Sequence, residues 1–500
     1  MFSRLVSQSG GHNVPAGRQV GVTEQRDTGK RRRVLGGLVS ICAFLAFDGV
    51  VHAETLESAL SRAYGNNPTL NAQRANVRAT DENVPRARSG YRPRVNASAD
   101  VGATVAQSEA DASFNLNAPV NQRVTPHREV TTRTVPRGYG VEVNQTLFNG
   151  FRTDNSVRQA ESAVLSARES LRNQEQNTLF DGASAYMNVL RDTAVLDLQR
   201  NNVEVIEKQL RQTRDRFSVG EVTRTDVAQA EARLAGARSQ ASSAEADLRS
   251  SIARYRQVVG VEPRQLSPGR PVDRLIPGSL EAALRIAFQE HPAIIASLHG
   301  VDAAELQVRI TESELAPEAT LSAGVSKRFD SNSPGSEILS GRVVAELRVP
   351  IYEGGEVYAR TRRDKETVGQ RRLEADSVRD QVRAAVISSW GQLEAARARI
   401  IAAQAQVEAG ETALNGVREE ARVGQRTTLD VLNAQQELLN ARVNLIAAQR
   451  DRVVASYAVV QASGRLNSRA LALRVDHYSP KKHFDQVKDL WIGTTTPEGR

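Results

Sequence analysis

Aromatic side chains, sulfur and long apolar runs are all scarce in this chain of 500 residues. Aromatic residues make up 4% of the sequence, and there are two Trp, two Met and one Cys. Several globular domains of this combined length would need more large apolar side chains to fill their cores. Glycine and proline concentrate near residues 85–155, 260–280 and 315–355. The stretches between them lack helix breakers, which favours long helices or coiled coils.

The single cysteine, Cys42, lies in an N-terminal segment with the pattern of an export signal. Residues 30–33 are basic, residues 34–47 form an apolar run, and residues 51–53 (VHA) end in a small residue that suits a cleavage site. We therefore expect residues 1–53 to be a signal peptide. A retained N-terminal membrane anchor is the alternative, which the shortness of the apolar run disfavours. Without this segment the chain has no cysteine, so disulfides and thiol chemistry are excluded.

Excess positive charge is also small once that segment is set aside. It holds seven of the 66 basic and three of the 58 acidic residues, which leaves 59 against 55 and a formal charge of +4. Nucleic-acid binding therefore loses its main support. After residue 53 there is no run of about 18 apolar residues, so the sequence predicts no transmembrane helix.

An internal duplication organises the rest of the chain. Residues 56–60 (LESAL) recur 224 positions later as residues 280–284 (LEAAL). Further on the offset is 204, at which residues 147–150 (LFNG) pair with residues 351–354 (IYEG). We predict a first repeat over residues 54–260, a proline-rich linker at 261–278, a second repeat at 279–466 and a polar C-terminal tail at 467–500.

Each repeat has the pattern of two strands followed by a long helical hairpin. Odd-numbered positions from 95 to 105 are Val or Ala, whereas the positions between them are polar or Gly. This period of two predicts strands with one apolar face. We place the strands at about 92–105, 138–149, 318–328 and 341–351, with loops at 106–139 and 327–341. The helical hairpins are expected at about 152–260 and 355–464, with coiled-coil seams that include Ile206, Leu210 and Phe217.

Four amphipathic strands cannot close a barrel alone, and an open sheet edge cannot face lipid. Two copies of the chain would supply eight strands, and side chains would fill the interior of such a barrel. Three copies would supply twelve strands around an aqueous lumen. The predicted fold class is therefore mainly α-helical with a β-barrel portion, in which three chains build a twelve-stranded barrel on an α-helical tunnel. A solvated structural coiled coil would explain the helices but not the strands, the repeat or the export signal.

The repeated motifs resemble the TolC family of outer-membrane efflux proteins. The shared features are the LESAL and LEAAL openings, the LFNG and IYEGG turns, and the hairpin-tip motifs at residues 219–227 and 423–431. The resemblance spans about residues 54–466. It implies a homotrimer in the outer membrane with a long periplasmic extension. It also implies a periplasmic adaptor and an inner-membrane transporter of the ABC or RND type as partners, in type I secretion or multidrug efflux.

The resemblance also implies where the entrance of the channel is narrowest. Asp430 matches an aspartate that family members project into the constriction, where three symmetry-related carboxylates attract cations. Asn433 stands where family members often carry a second aspartate, so this chain is expected to attract cations less. An alternative role for Asp430, and for the matching Asp226, is to cap a helix.

Two further sets of tip residues follow from the same resemblance. Arg426 matches an arginine that, in the family, links the hairpin of the second repeat to the neighbouring hairpin. Its partners there would be Thr225 and Asp226. Val219 and Gly220, together with Val423 and Gly424, are expected to be the tip residues that the adaptor contacts.

No constellation for catalysis or for a cofactor accompanies these motifs. The five histidines after residue 53 lack metal-ligand spacing, and we expect structural or surface roles for them. His291, which stands where the first repeat has Asn67, is expected to cap or end a helix before Pro292. A periplasmic adaptor and a secreted coiled-coil protein remain as alternative functions, although a single hairpin beside a lipoyl-like domain would be typical of an adaptor.

Overall fold

The computed structural model describes residues 53–110, 119, 128–331, 333–497 and 499. Residues 1–52 of the predicted signal peptide, which include Cys42, lie outside these residues, and so does His127. Two α-helical hairpins and a four-stranded sheet account for most of the described chain.

The helices follow the duplicated order that the sequence predicts. Their bounds are α1 Leu56–Asn66, α2 Pro68–Asp81, α3 Asn83–Arg88, α4 Arg152–Ser218, α5 Arg224–Val259, α6 Leu280–Glu290, α7 Pro292–Glu312, α8 Glu356–Arg422, α9 Thr428–Ala462 and α10 Pro480–Val487. The helices α4 and α8 each contain 67 residues. At 1.5 Å per residue each is about 100 Å long.

The strands are β1 Arg94–Val101, β2 Thr104–Ala110, β3 Arg128–Thr134, β4 Arg137–Asn149, β5 Glu318–Phe329 and β6 Glu337–Arg348. The prediction that residues 106–139 form a loop is wrong at both ends. β2 and β3 pair there as a separate antiparallel ribbon, because backbone groups of polar Thr, Gln and Ser residues pair as well as those of apolar ones. The second predicted loop is likewise shorter, since β5 extends to Phe329 and β6 begins at Glu337.

The four-stranded sheet has the order β1-β4-β5-β6, and every neighbouring pair is antiparallel. Even-numbered residues of the four strands share one face along most of their length, as the register aligns Ser98, Gly140, Ser326 and Ser340 in a single row. The odd-numbered face carries Val, Ala and Leu over the same length, for example Val141 beside Val325. The alternation in the sequence thus becomes one polar and one apolar face.

Aliphatic side chains pack along the helical hairpins. In the first hairpin Ile206, Leu210, Ala230, Leu234 and Ala237 form one buried cluster. Leu414, Val431 and Leu438 do the same in the second. Phe217, which we predicted in the seam, is 45% exposed instead, because it lies within two residues of the end of α4 and the seam ends before it.

The C-terminal segment packs against the first repeat. Within it the helix α10 contacts α2, and His483 Nδ1 lies 3.0 Å from the buried carboxylate of Asp81. Further along, Arg88 pairs with Asp489, close to the start of β1. In the described residues no helix is long and apolar enough to cross a membrane.

Candidate functional site at the hairpin tips and the sheet

The two hairpin tips are built in the same way, around a capping box. Thr223 is the N-cap of α5, and Asp226 Oδ2 accepts hydrogen bonds from the Thr223 backbone N–H at 2.9 Å and from its hydroxyl at 2.7 Å. In the second tip Asp430 makes the same contacts with Thr427, at 2.9 and 2.8 Å. In both tips the aspartate N–H donates in return to the threonine Oγ1 at 3.2 Å. These reciprocal bonds satisfy backbone groups that a helix start leaves open.

The expected capping role of the two aspartates needs one correction. The N-caps are Thr223 and Thr427, and each aspartate is the third helical residue. Thr225 is the second residue of α5 and is exposed. The spacing Thr-x-x-Asp occurs at both sites and is the sequence signal that marks a capping box.

The caps keep both carboxylates ionised. The backbone N–H of Thr427, followed by its hydroxyl, holds the pKa of Asp430 below its usual range, and nearby Arg426 acts in the same direction. The pKa of Asp226 is lowered first by the Thr223 hydroxyl and then by its backbone N–H. A carboxylate that accepts several hydrogen bonds favours its charged form. Both tips therefore carry a fixed negative charge at neutral pH.

The predicted adaptor-contact residues stand at the exposed ends of the long helices. Val219 is 71% exposed and Val423 is 69% exposed. Gly220 and Gly424, with φ angles of 81° and 78°, follow them in the left-handed conformation that ends each helix. Two apolar side chains at the helix ends are thus exposed to solvent in the single chain.

Arg426 is paired within its own hairpin. Its Nε donates to Glu420 Oε2 at 2.7 Å, and both side chains are about half exposed. Asp226 makes its hydrogen bonds with Thr223. Among the described residues of one chain, the structure therefore does not bring Arg426 to Thr225 or Asp226. A contact between neighbouring chains stays a prediction.

Asn433 makes a contact that the sequence reasoning missed. Its Oδ1 accepts a hydrogen bond of 2.7 Å from Arg233 Nη2, which joins the second hairpin to the first near the tips. The two residues are 200 positions apart, and no local pattern in the sequence connects them. Asn433 therefore faces a cation on the neighbouring hairpin, one turn away from Asp430.

The histidines that the structure describes have structural contacts. His291 Nδ1 accepts the Ala293 N–H at the start of α7, as predicted. In α2 the equivalent Asn67 caps the helix through its Oδ1. Among the described residues no group of three His, Cys, Asp or Glu side chains could hold a metal ion.

The apolar face of the sheet has the dimensions of a membrane-spanning surface. On β5 it runs from Ala319 to Phe329, about 33 Å along the strand and about 25 Å along the membrane normal after the usual tilt. Tyr139 and Phe329 lie together at its far end, with Arg137 and Lys327 beside the Phe329 ring. Aromatic residues at the end of an apolar band are typical of a membrane interface.

A sheet of this kind, with open edges and a polar second face, defines the subunit of an outer-membrane channel. The two helical hairpins, each about 100 Å long, extend that channel away from the membrane.

The chain belongs to the outer membrane efflux protein family, whose pattern matches residues 59–261 and 283–465. It is 42% identical over 451 residues to the outer membrane efflux protein BepC of Brucella suis biovar 1, covering 90% of this chain and 93% of that protein. It is also 27% identical over 427 residues to the outer membrane protein TolC of Vibrio cholerae, covering 84% and 92% of the two chains.

A solved structure supports the same fold. The Campylobacter jejuni CmeC outer membrane channel superposes with a TM-score of 0.71 at 15% sequence identity, covering 87% of this chain and 89% of that one. The predicted family, the outer-membrane location and the function as an exit channel are confirmed, and the adaptor and secreted coiled-coil alternatives are not supported.

Proposed function

We propose that three copies of this chain form one channel, with a twelve-stranded barrel in the outer membrane. The order β1-β4-β5-β6 places β1 at one edge of the sheet and β6 at the other. Alternating antiparallel pairing makes β1 and β6 run in opposite directions, so β6 of one copy can pair with β1 of the next and continue the pattern. Three copies leave a water-filled lumen, whereas two would not.

The two open edges of an amphipathic sheet are the observation that carries this proposal. Strand edges in lipid leave backbone N–H and C=O groups without partners, at a cost of several kcal/mol for each group. Closure by further copies removes that cost along both edges at once. The polar face then lines the lumen and the apolar face contacts lipid.

The helical hairpins of the three copies continue the lumen as a tunnel into the periplasm. Their surfaces carry many charged side chains, such as the pairs Arg214–Glu231 and Arg442–Glu411 within the hairpins. These surfaces suit water rather than lipid. The tips, about 100 Å from the sheet, form the end at which cargo enters.

The entrance is closed in the resting state by contacts among the tips. Asp430 from each copy forms a ring of three carboxylates at the constriction, and Arg426 reaches Thr225 and Asp226 of a neighbouring hairpin. In the single chain Arg426 is bound to Glu420. Opening is then an exchange of partners, in which Arg426 returns to the carboxylate of its own hairpin. Each such exposed pair is worth about 0–1 kcal/mol, and three of them bias the equilibrium together.

A periplasmic adaptor and an inner-membrane transporter of the ABC or RND type complete the export system. The adaptor engages Val219 and Gly220 together with Val423 and Gly424, where apolar side chains are exposed at the helix ends. Burial of those side chains supplies binding energy that differs between the closed and open tips, as a partner must if it is to shift the equilibrium. The name of the Brucella relative favours efflux.

Purified protein in detergent tests the proposal directly. The mass of the particle should correspond to three chains, and planar lipid bilayers should show ion-conducting steps. On an SDS gel the unheated protein should run as a slow trimer band, which heating converts into a faster single-chain band. A monomer that passes no ions through the bilayer would overturn it, and a two-chain particle would overturn the twelve-stranded barrel.

A further inference from the structure

Two ion pairs on the polar face of the sheet each reach across a whole strand. Arg342 on β6 lies 3.1 Å from Glu142 on β4, although β5 runs between them. Arg328 on β5 lies 3.5 Å from Asp100 on β1, although β4 runs between them. Alternate strands in a sheet are about 9.5 Å apart, so such pairs need a clear path over the middle strand.

A glycine provides that path in both cases. Gly324 on β5 pairs with Glu142 on one side and with Arg342 on the other, so the three residues form one row across the sheet. A Cβ on Gly324 would lie 3.8 Å from Glu142 Cγ. Any larger side chain would project further into the space between the paired groups.

The same arrangement recurs in the row of Asp100. There Gly138 stands between Asp100 and Arg328, and a Cβ on it would lie 3.1 Å from Arg328 Cγ and 3.5 Å from Asp100 Oδ1. Between the two rows lies a row of uncharged residues, Ser98, Gly140, Ser326 and Ser340.

Stability of the sheet does not account for these pairs. All four side chains are between 43% and 67% exposed, and an exposed ion pair contributes about 0–1 kcal/mol. Glycine inside a strand weakens it. The pairs do change the charge that the polar face presents to water. The polar face carries four arginines, at positions 94, 328, 342 and 348, and four carboxylates, at positions 100, 142, 318 and 346.

We propose that these two glycine-spanning ion pairs neutralise the barrel lumen and make it indifferent to the sign of the charge it conducts. The proposal rests on the proposed function, since it needs the polar face to line a closed barrel. Three copies would place six such pairs around the lumen. Arg328 and Arg342 are each compensated by a carboxylate, at 3.5 and 3.1 Å. Little of their field therefore extends into the water beyond a Debye length of about 8–10 Å.

The ion selectivity of the channel in planar bilayers tests whether the barrel lumen is neutral. All variants carry Asp430→Ala as a background, because the carboxylates at the entrance would otherwise dominate the measured selectivity. The background protein should show nearly equal potassium and chloride permeability in a salt gradient at low ionic strength. Glu142→Gln uncovers three arginines in the trimer and should shift the reversal potential toward chloride. Arg342→Gln should shift it toward potassium, and the double variant should return to the background value. Asp100→Asn and Arg328→Gln should repeat this pattern.

Glu337→Gln is the matched control. Like Glu142 and Asp100, Glu337 is a carboxylate of the sheet that pairs with a cation, in this case Lys327 at 3.2 Å. Glu337 lies on the opposite face of the sheet. Its neutralisation should leave selectivity unchanged. Single variants that conduct with the background selectivity, or a double variant that fails to return to it, would overturn the proposal. A parent protein, with Asp430 intact, that forms no channels would instead overturn the proposed function.

Discussion

Asp430 and Asp226 hold equivalent places in their two hairpins. A comparison of the two residues can therefore distinguish the capping role of Asp430 from its proposed role in a ring of charges. Both accept the same hydrogen bonds from the N-cap threonine. If Asp430 also lines the constriction, Asp430→Ala should abolish block of the channel by multivalent cations added from the periplasmic side. Asp226→Ala removes the same capping box and should retain the block. Single-channel currents measure both, and equal loss in the two variants would assign the effect to the cap.

Arg426 pairs with Glu420 of its own hairpin and, by our proposal, with Thr225 and Asp226 of a neighbouring chain. Arg426→Ser should raise conductance because three latching contacts disappear, whereas Arg422→Ser, which loses an exposed pair with Glu419 on the same hairpin, should not. Glu420→Gln weakens the contact of Arg426 within its own hairpin and should lower conductance, since Arg426 then stays with the neighbour. Higher conductance in Glu420→Gln would contradict a latch between chains.

At the scale of the element, the start of α7 is capped by a titratable residue where the equivalent helix α2 has an asparagine. Burial, with nearby Arg172, lowers the pKa of His291 from 6.5 to about 4. The folded chain keeps the ring neutral, whereas the unfolded chain protonates it below about pH 6.5. The contribution of the neutral His291 ring to the free energy of unfolding is therefore fully present above pH 6.5. It is lost as the pH falls toward 4, by up to about 3 kcal/mol per chain.

His291→Asn should remove this pH dependence, because Asn67 caps α2 in the same way without titrating. The heat-denaturation midpoint of the trimer, measured at about pH 7.5 and about pH 4.5, should fall less in the variant than in the parent. His299→Asn, on the same helix but partly exposed, is the control. An undiminished fall in His291→Asn would place the acid sensitivity elsewhere.

At the scale of the whole molecule, the faces of the sheet decide whether the chain can enter a membrane. Val325 and Ser326 are neighbours on β5 and point to opposite faces. Val325→Arg should block outer-membrane insertion, because an arginine in the lipid-facing band costs about 2–4 kcal/mol in each chain. Ser326→Arg should still yield a heat-modifiable trimer in the outer-membrane fraction. The reverse result would mean that the apolar face lines the lumen.

Periodicity and duplication in the sequence were sufficient to predict the main elements and their order. A period of two over residues 95–105 requires a strand with two unlike faces, and breaker-free runs require helices, because both patterns act through neighbours in the chain. The capping boxes are local too, and the Thr-x-x-Asp spacing could have located them. The extension of pairing into β2 and β3 was missed because polar strands lack an apolar signal.

Contacts between residues far apart in the chain were decided by the tertiary structure alone. The hydrogen bond between Arg233 and Asn433 and the ion pairs that cross Gly138 and Gly324 join residues that are 200 or 228 positions apart and lie in separate repeats. Their partners are set by strand register and by how the two hairpins pack, and a shift of one residue in register would exchange the faces of a strand. The sequence determined which surfaces are polar and which are apolar, because this depends on the local period of the residues. Which charges meet on those surfaces depends on three-dimensional packing.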